Sequence, residues 1–209
     1  LCVDEWGIDV CYSGTQKCIG APPGLAPITF GPKAAEIIAS RKTKVTSWYL
    51  DMSLIQMYWG DDRAYHHTAP ISMIYALREA LRVIHQEGLA ARLSRHHRNA
   101  EALREGLEGM GLKLVVPPGY RADSITTVYV PEGVDDVAVR GELLNDFGIE
   151  IGGGLGPLKG IAWRVGLMGY GSRPENVLAL LNALEQILPR QGFAVAVGEA
   201  KLAAERALG

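Results

Sequence analysis

Lys17 lies in the stretch VCYSGTQKCIGAPPG, residues 10–24, between a short apolar run and a Pro-Pro-Gly turn. A lysine amine is a nucleophile only when deprotonated, so chemical use of Lys17 requires burial or neighbouring cations and a stiff support. Pro22 and Pro23 can supply the stiffness. Ser13, Thr15 and Gln16 offer hydroxyl and amide groups to an anion, and Gly14 and Gly20 permit close approach of the backbone. A lysine in a polar loop is ordinarily solvated, and spacing alone does not separate the two readings. Arg164, in IAWRVGLMG, is the second group with chemical potential. In a strand, Ile161, Trp163, Val165 and Leu167 share one face, and Ala162, Arg164, Gly166 and Met168 the other. Bracketed by small residues, the Arg164 fork suits a carboxylate in a bidentate pair; the plainer alternative is an arginine with its head in water. In AYHHT, residues 64–68, Tyr65 and Thr68 can donate to a phosphate, or the loop is simply polar with its histidines partly buried and satisfied.

The elements that must position these groups follow from hydrophobic periodicity. Residues 8–13 and 26–30 read as strands, with Lys17 in the loop after the first, and residues 31–42 as a helix with Pro32 in its first turn. Residues 48–59 are apolar and aromatic, and a loop at 64–70 closes at Pro70. A helix over 71–88 carries Ile74, Leu77, Leu81 and Ile84. A second, over about 89–110, carries the stripe Leu89, Leu93, Ala100, Leu103, Leu107 and Met110. His96 and His97, in its middle, read most simply as surface groups. After Gly111, LKLVV, SITTVYV, IEIGGG and IAWRVGLM read as strands, VDDVAVRGELLNDFG and RPENVLALLNALEQIL as helices: an α+β unit with helices packed on one face of a sheet. The glycine run IGGGLGPLKG, residues 151–160, joins two strands instead of opening a helix, so neither phosphate-loop fingerprint fits, and its glycines let backbone line a pocket. The alanine-rich tail, 192–209, reads as helical.

Composition bounds the rest. With 209 residues, 48% of them hydrophobic, the chain can bury a real core. Twenty-one Lys and Arg against 23 Asp and Glu, net −2, argue against nucleic acid as a partner. No apolar run approaches the roughly 18–20 residues of a membrane span. Cys2, Cys11 and Cys18, clustered near the N-terminus, suggest reduced thiols and a cytoplasmic setting, and neither their spacing nor that of His66 and His67 matches a metal pattern, so no metal is expected. The chain opens at Leu1 inside what reads as ordered sequence, as a piece of a longer chain would.

YSGTQKCIGAPPG, YHHTAP, EIGGGLGP and WRVGLMG, in this order, resemble the class V pyridoxal-phosphate-dependent aminotransferases, most closely the alanine–glyoxylate or serine–pyruvate branch, over nearly the whole chain to about Leu188. The resemblance implies an α/β chain of fold type I: residues 1–60 as the end of the large cofactor-binding domain, 61–190 as the small α+β domain, and 191–209 as a helical tail. It implies pyridoxal 5′-phosphate as cofactor, with Lys17 as its Schiff-base lysine and proton carrier and Gln16 lining its site. Tyr65 and Thr68 would reach its phosphate from the partner subunit of a homodimer. Arg164 would bind the substrate α-carboxylate, with backbone at Gly153 close to the substrate. The implied reaction is transamination of a small amino acid, alanine or serine, with glyoxylate or pyruvate. Ureidoglycine–glyoxylate and 2-aminoethylphosphonate aminotransferases are alternatives, as is a non-catalytic α+β module that dimerises or binds a small ligand. A cysteine desulfurase relative is disfavoured because all three cysteines are N-terminal. The family's aspartate for the pyridine nitrogen, its ring-stacking aromatic and its Ser-Gly-His-type phosphate loop lie upstream of the position matching Leu1, and neither Asp4 nor Asp9 stands where that aspartate would. The fragment alone is therefore expected to bind cofactor poorly.

Overall fold

The alternating residues on either side of the Lys17 loop form an antiparallel ribbon. β1 (Val10–Tyr12) pairs with β2 (Ile28–Phe30), with Val10 opposite Phe30 and Tyr12 opposite Ile28. They are seen in a computed structural model that describes residues 1–209. The chain divides into two compact units, Leu1–Leu81 and Arg82–Gly209. In the first, α1 (Pro32–Ala39) starts on its proline, which needs no partner for the N–H it lacks. The aromatic segment becomes α2 (Met52–Trp59), capped by Asp51, whose carboxylate accepts from Ser53 N at 3.0 Å. α3 (Ile71–Glu87) begins directly after Pro70, and its residues from Arg82 on are counted in the second unit. Few apolar side chains of this unit are buried, while Trp6, Trp48, Tyr49, Leu50, Trp59 and Tyr75 are exposed.

The second unit holds the main core. Its sheet has the order β3 (Ile125–Tyr129), β5 (Ala162–Gly166), β4 (Gly152–Gly153), all antiparallel, so Arg164 stands on the central strand, opposite Thr127 on one side and Gly152 on the other. Trp163, Val165 and Leu167 are buried, as the strand's alternation requires. Around them pack α4 (Leu89–Gly109), α5 (Asp136–Phe147), α6 (Pro174–Arg190) and α7 (Glu199–Leu208) through Leu103, Leu107, Leu143, Leu181, Leu184 and Ile187. LKLVV is not a strand: it forms one bridge, Leu114 to Val128, beside β3. The alanine-rich tail docks: Ala200 and Ala204 are fully buried, and Gly106 of α4 lets α6 and α7 approach closely, since a Cβ there would lie 2.3 Å from Leu181 Cδ1 and 3.2 Å from the Ala200 carbonyl.

The stripe expected along α4 holds only in its second half. Ala100, Leu103 and Leu107 are fully buried, but Leu89 and Leu93 are 65% and 62% exposed, and Arg92, His96 and Asn99 are buried instead. The reason is the irregular turn after β5, whose backbone groups need polar partners. His96 is therefore not a surface group: its Nε2 accepts the Gly169 N–H at 3.1 Å, and its Nδ1–H donates to the Arg92 carbonyl at 2.8 Å, which fixes the tautomer. Asn99 donates to Ser172 Oγ at 3.1 Å, and Arg95 donates to the carbonyls of Gly169, at 3.3 Å, and Ser172. Arg95 is in turn held by Glu87, its Nε 2.5 Å from Oε1, and Arg92 bonds Glu87 Oε2 at 2.8 Å.

Hydrogen bonds from Arg95 chiefly, and from Arg92, overcome desolvation and hold the Glu87 carboxyl at about 2, against 4.5 ordinarily. A depressed folded-state pKa stabilises above the unfolded value and is lost as pH falls through the folded one. Glu87→Gln is expected to remove ~2–3 kcal/mol of stability at pH 7 and to flatten the decline between about pH 4.5 and 2; unfolding midpoints across that range test this. Gly106→Ala is expected to destabilise by ~1–3 kcal/mol through overpacking, against the ~1 kcal/mol that alanine gains over glycine in a helix. A raised urea midpoint would contradict it.

Candidate active site

The loop between β1 and β2 carries Lys17 on a turn, exposed to solvent. Its fold depends on Thr15, a fully buried residue whose hydroxyl donates to the Pro22 carbonyl at 2.7 Å and lies 3.3 Å from that of Leu25. Backbone bonds complete the clasp: Thr15 N to Leu25 O at 3.3 Å, Ala21 N to Thr15 O at 3.0 Å, and Gly20 N to Lys17 O at 2.9 Å. Thr15 thus does not offer its hydroxyl to an anion, as its type suggested; it anchors the loop. Gln16 is exposed and folds back over Gly14, where a Cβ would lie 2.8 Å from its Oε1.

In the same unit, Tyr65 and Thr68 are both exposed, with Oη and Oγ1 3.0 Å apart. His66 holds their loop from beneath. It is buried, stacks on Trp48 with centroids 4.0 Å apart, and donates from Nε2 to the Trp48 carbonyl at 3.1 Å. Its Nδ1 is then left to accept from His67 Nδ1 at 2.9 Å. Histidine side chains spent on structure thus present two hydroxyls, and hydroxyls this close can share one polyvalent anion.

In the second unit, Arg164 and Gly153 come together: Arg164 Nε donates to the Gly153 carbonyl at 2.7 Å. That bond occupies one edge of the guanidinium and leaves the outer fork for a planar anion. The glycine run makes room for it, since a Cβ at Gly152 would lie 3.2 Å from Arg164 Nη2. At Gly154 a Cβ would lie 1.9 Å from the Leu158 carbonyl, so only glycine lets the run close on itself. Elsewhere in this unit His97, Glu101 and Asp123 converge, a cluster the sequence spacing did not announce, with His97 Nδ1 3.2 Å from Asp123 Oδ2. Arg104 pairs with both carboxylates and compensates their charge. The roles of Thr15 and His96 differ from those the sequence suggested, since each is spent on a backbone group, whereas His66, buried and bonded to the Trp48 carbonyl, fits the plainer reading of its loop.

The chain matches the family model Aminotransferase class-V over residues 1–164. It is 43% identical to the alanine–glyoxylate aminotransferase of Felis catus over 90% of this chain and 46% of that protein. The crystal structure of the ureidoglycine–glyoxylate aminotransferase from Bacillus subtilis superposes with a TM-score of 0.95 at 44% identity, over 98% of this chain and 53% of that one. The alanine–glyoxylate aminotransferase from Nostoc sp. gives a TM-score of 0.87 at 55% identity, over 89% and 49%. This chain spans about half the length of such relatives, and its fold is that of the fold type I transferases. From residues 1–164 and from relatives of this likeness, the chain belongs to the class-V aminotransferase family.

Proposed function

We propose that this chain supplies the lysine and the carboxylate-binding arginine of a transaminase that moves the amino group of a small amino acid, alanine or serine, to glyoxylate or pyruvate. The observation that carries the reading is an Arg164, in the second unit, whose outer fork is unspent, and the first unit contributes an exposed Lys17 on a loop clasped by Thr15. Relatives named as glyoxylate aminotransferases favour the acceptor. We take residues 1–60 as the end of a large domain, 61–190 as the small domain and 191–209 as its tail.

The donor set fits pyridoxal phosphate as cofactor: Lys17 provides an amine for its carbonyl carbon, and Tyr65 and Thr68 provide hydroxyls for its phosphate, in the partner subunit of a homodimer. The large exposed aromatic surface of the first unit supports such an association. When bound, the cofactor supplies an electron sink for the pair left on the substrate α-carbon. Arg164 binds the α-carboxylate, which amino acid and 2-oxo acid share, so one clamp serves both half-reactions. Lys17 Nζ takes the proton from the α-carbon as general base, carried on a backbone turn that the Thr15 bonds hold. Gln16 lines the cofactor site, and backbone at Gly153 borders the substrate.

A second reading, ureidoglycine as donor, is favoured by the fuller coverage of this chain in the Bacillus subtilis superposition. Comparing alanine, serine and ureidoglycine as donors to glyoxylate decides between them.

Incubation with pyridoxal phosphate followed by borohydride is expected to modify Lys17, read by peptide mass spectrometry, and Lys17→Ala to abolish transamination. Normal turnover in that variant would overturn the assignment. Arg164→Lys is expected to raise KM for both the amino acid and glyoxylate by about 10- to 100-fold through loss of the bidentate pair. Steady-state kinetics with each substrate varied would show it.

A further inference from the structure

β4 is a strand of two glycines held between two guanidinium groups. On one face, Gly152 lies opposite Arg164 in register and leaves room for its Nη2. On the other, a Cβ at Gly153 would lie 3.5 Å from Arg140 Cζ, so the Arg140 guanidinium covers the Gly153 backbone. Arg140 is clamped by Asp136 through two bonds, Nε to Oδ1 at 2.8 Å and Nη2 to Oδ2 at 3.1 Å. Asp136 Oδ1 also accepts from Trp163 Nε1 at 3.0 Å, and Trp163 is the register partner of Gly153. The contacts therefore close a ring: Gly153, Trp163, Asp136, Arg140 and back to Gly153.

We propose that Asp136 and Arg140 are positioning residues for Arg164. From the inner face of β4 they fix the Gly153 backbone, and so the carbonyl that orients the Arg164 guanidinium toward the carboxylate of both substrates. The substrate part rests on the reading of Arg164 given above. Asp136 is not needed as a helix cap, because Asp135 already accepts from Val137 N at 2.8 Å and Ala138 N at 3.0 Å. Both of its carboxylate oxygens are turned instead to the ring. Hydrogen bonding from Arg140, foremost, keeps the Asp136 carboxyl below its ordinary value despite desolvation, and the same pair raises Arg140. Both shifts favour the charged, paired forms. A Cβ at position 153 would meet Arg140 Nε and Cζ at 3.5 Å, ordinary van der Waals contact, so the guanidinium lies directly against that backbone position.

The test uses the full protein with its cofactor bound. In Asp136→Asn, the Arg164 Nε–H, followed by 15N NMR, is expected to exchange with solvent about tenfold faster, and KM for glyoxylate to rise about tenfold while kcat changes by less than about threefold. Arg140→Gln is expected to do the same and carries the test if the first variant does not fold. Lower thermal stability with unchanged Nε–H exchange and unchanged KM would mean a merely structural pair and overturn the proposal. Faster exchange in these variants, with an Arg164→Gln enzyme whose KM for glyoxylate is normal, would overturn the substrate part and the carboxylate reading with it, while leaving the backbone link standing.

Discussion

The hydrogen bond from Arg164 Nε to the Gly153 carbonyl is the constraint on which the proposed carboxylate site depends. A guanidinium on a long side chain samples many rotamers, and ordering it opposes binding by about 1 kcal/mol or more. Spending one N–H on backbone within the same sheet settles most of that ordering when the protein folds. It also aims the remaining fork, because the guanidinium is planar and its donors point in fixed directions. A lysine at this position would have no second edge to fix, and its ammonium would remain a mobile point charge.

The bond is only as well placed as the two strands that bear it. β5 is central, paired on both sides, and its inner face is anchored by the buried Trp163, Val165 and Leu167. β4 is short and has no side chains to pack, so it needs support of another kind. Hence the turn after β5 is tied to His96, Asn99 and Arg95 on α4, while β4 rests on Arg140. The Lys17 loop solves the same problem without a helix to lean on. Thr15 reaches across its base to Pro22 and Leu25, replacing a core with a hydroxyl.

Much of this was legible in the sequence where a period controls structure. The alternation of IAWRVGLM placed Trp163 inside and Arg164 on the other face, and the helical stripe of RPENVLALLNALEQIL became α6 with Leu180, Leu181, Leu184 and Ile187 buried. Periodicity failed where the neighbour is not an apolar element. The first half of α4 faces backbone that is more than 70 residues away in sequence, so it buries Arg92, His96 and Asn99 and leaves Leu89 and Leu93 outside. In the candidate site the residue types pointed to Lys17, Tyr65, Thr68 and Arg164. Thr15 was read as a ligand donor because a hydroxyl two residues from a lysine looks the same whether it faces solvent or carbonyls.

These failures have a common physical origin. Apolar burial is large but carries no direction, and it is written in the sequence as period. Hydrogen bonds contribute only about 0.5–1.5 kcal/mol each, but they fix orientation, and their partners are set by tertiary structure. The core formed by Leu103, Leu107, Leu143, Leu181 and Trp163 is apolar and does not include the Asp136–Arg140 pair. What the Gly153 carbonyl adds, and the pair with it in the proposal made above, is the direction in which Arg164 points, a property that global stability reports weakly and that the proposed carboxylate binding depends on directly.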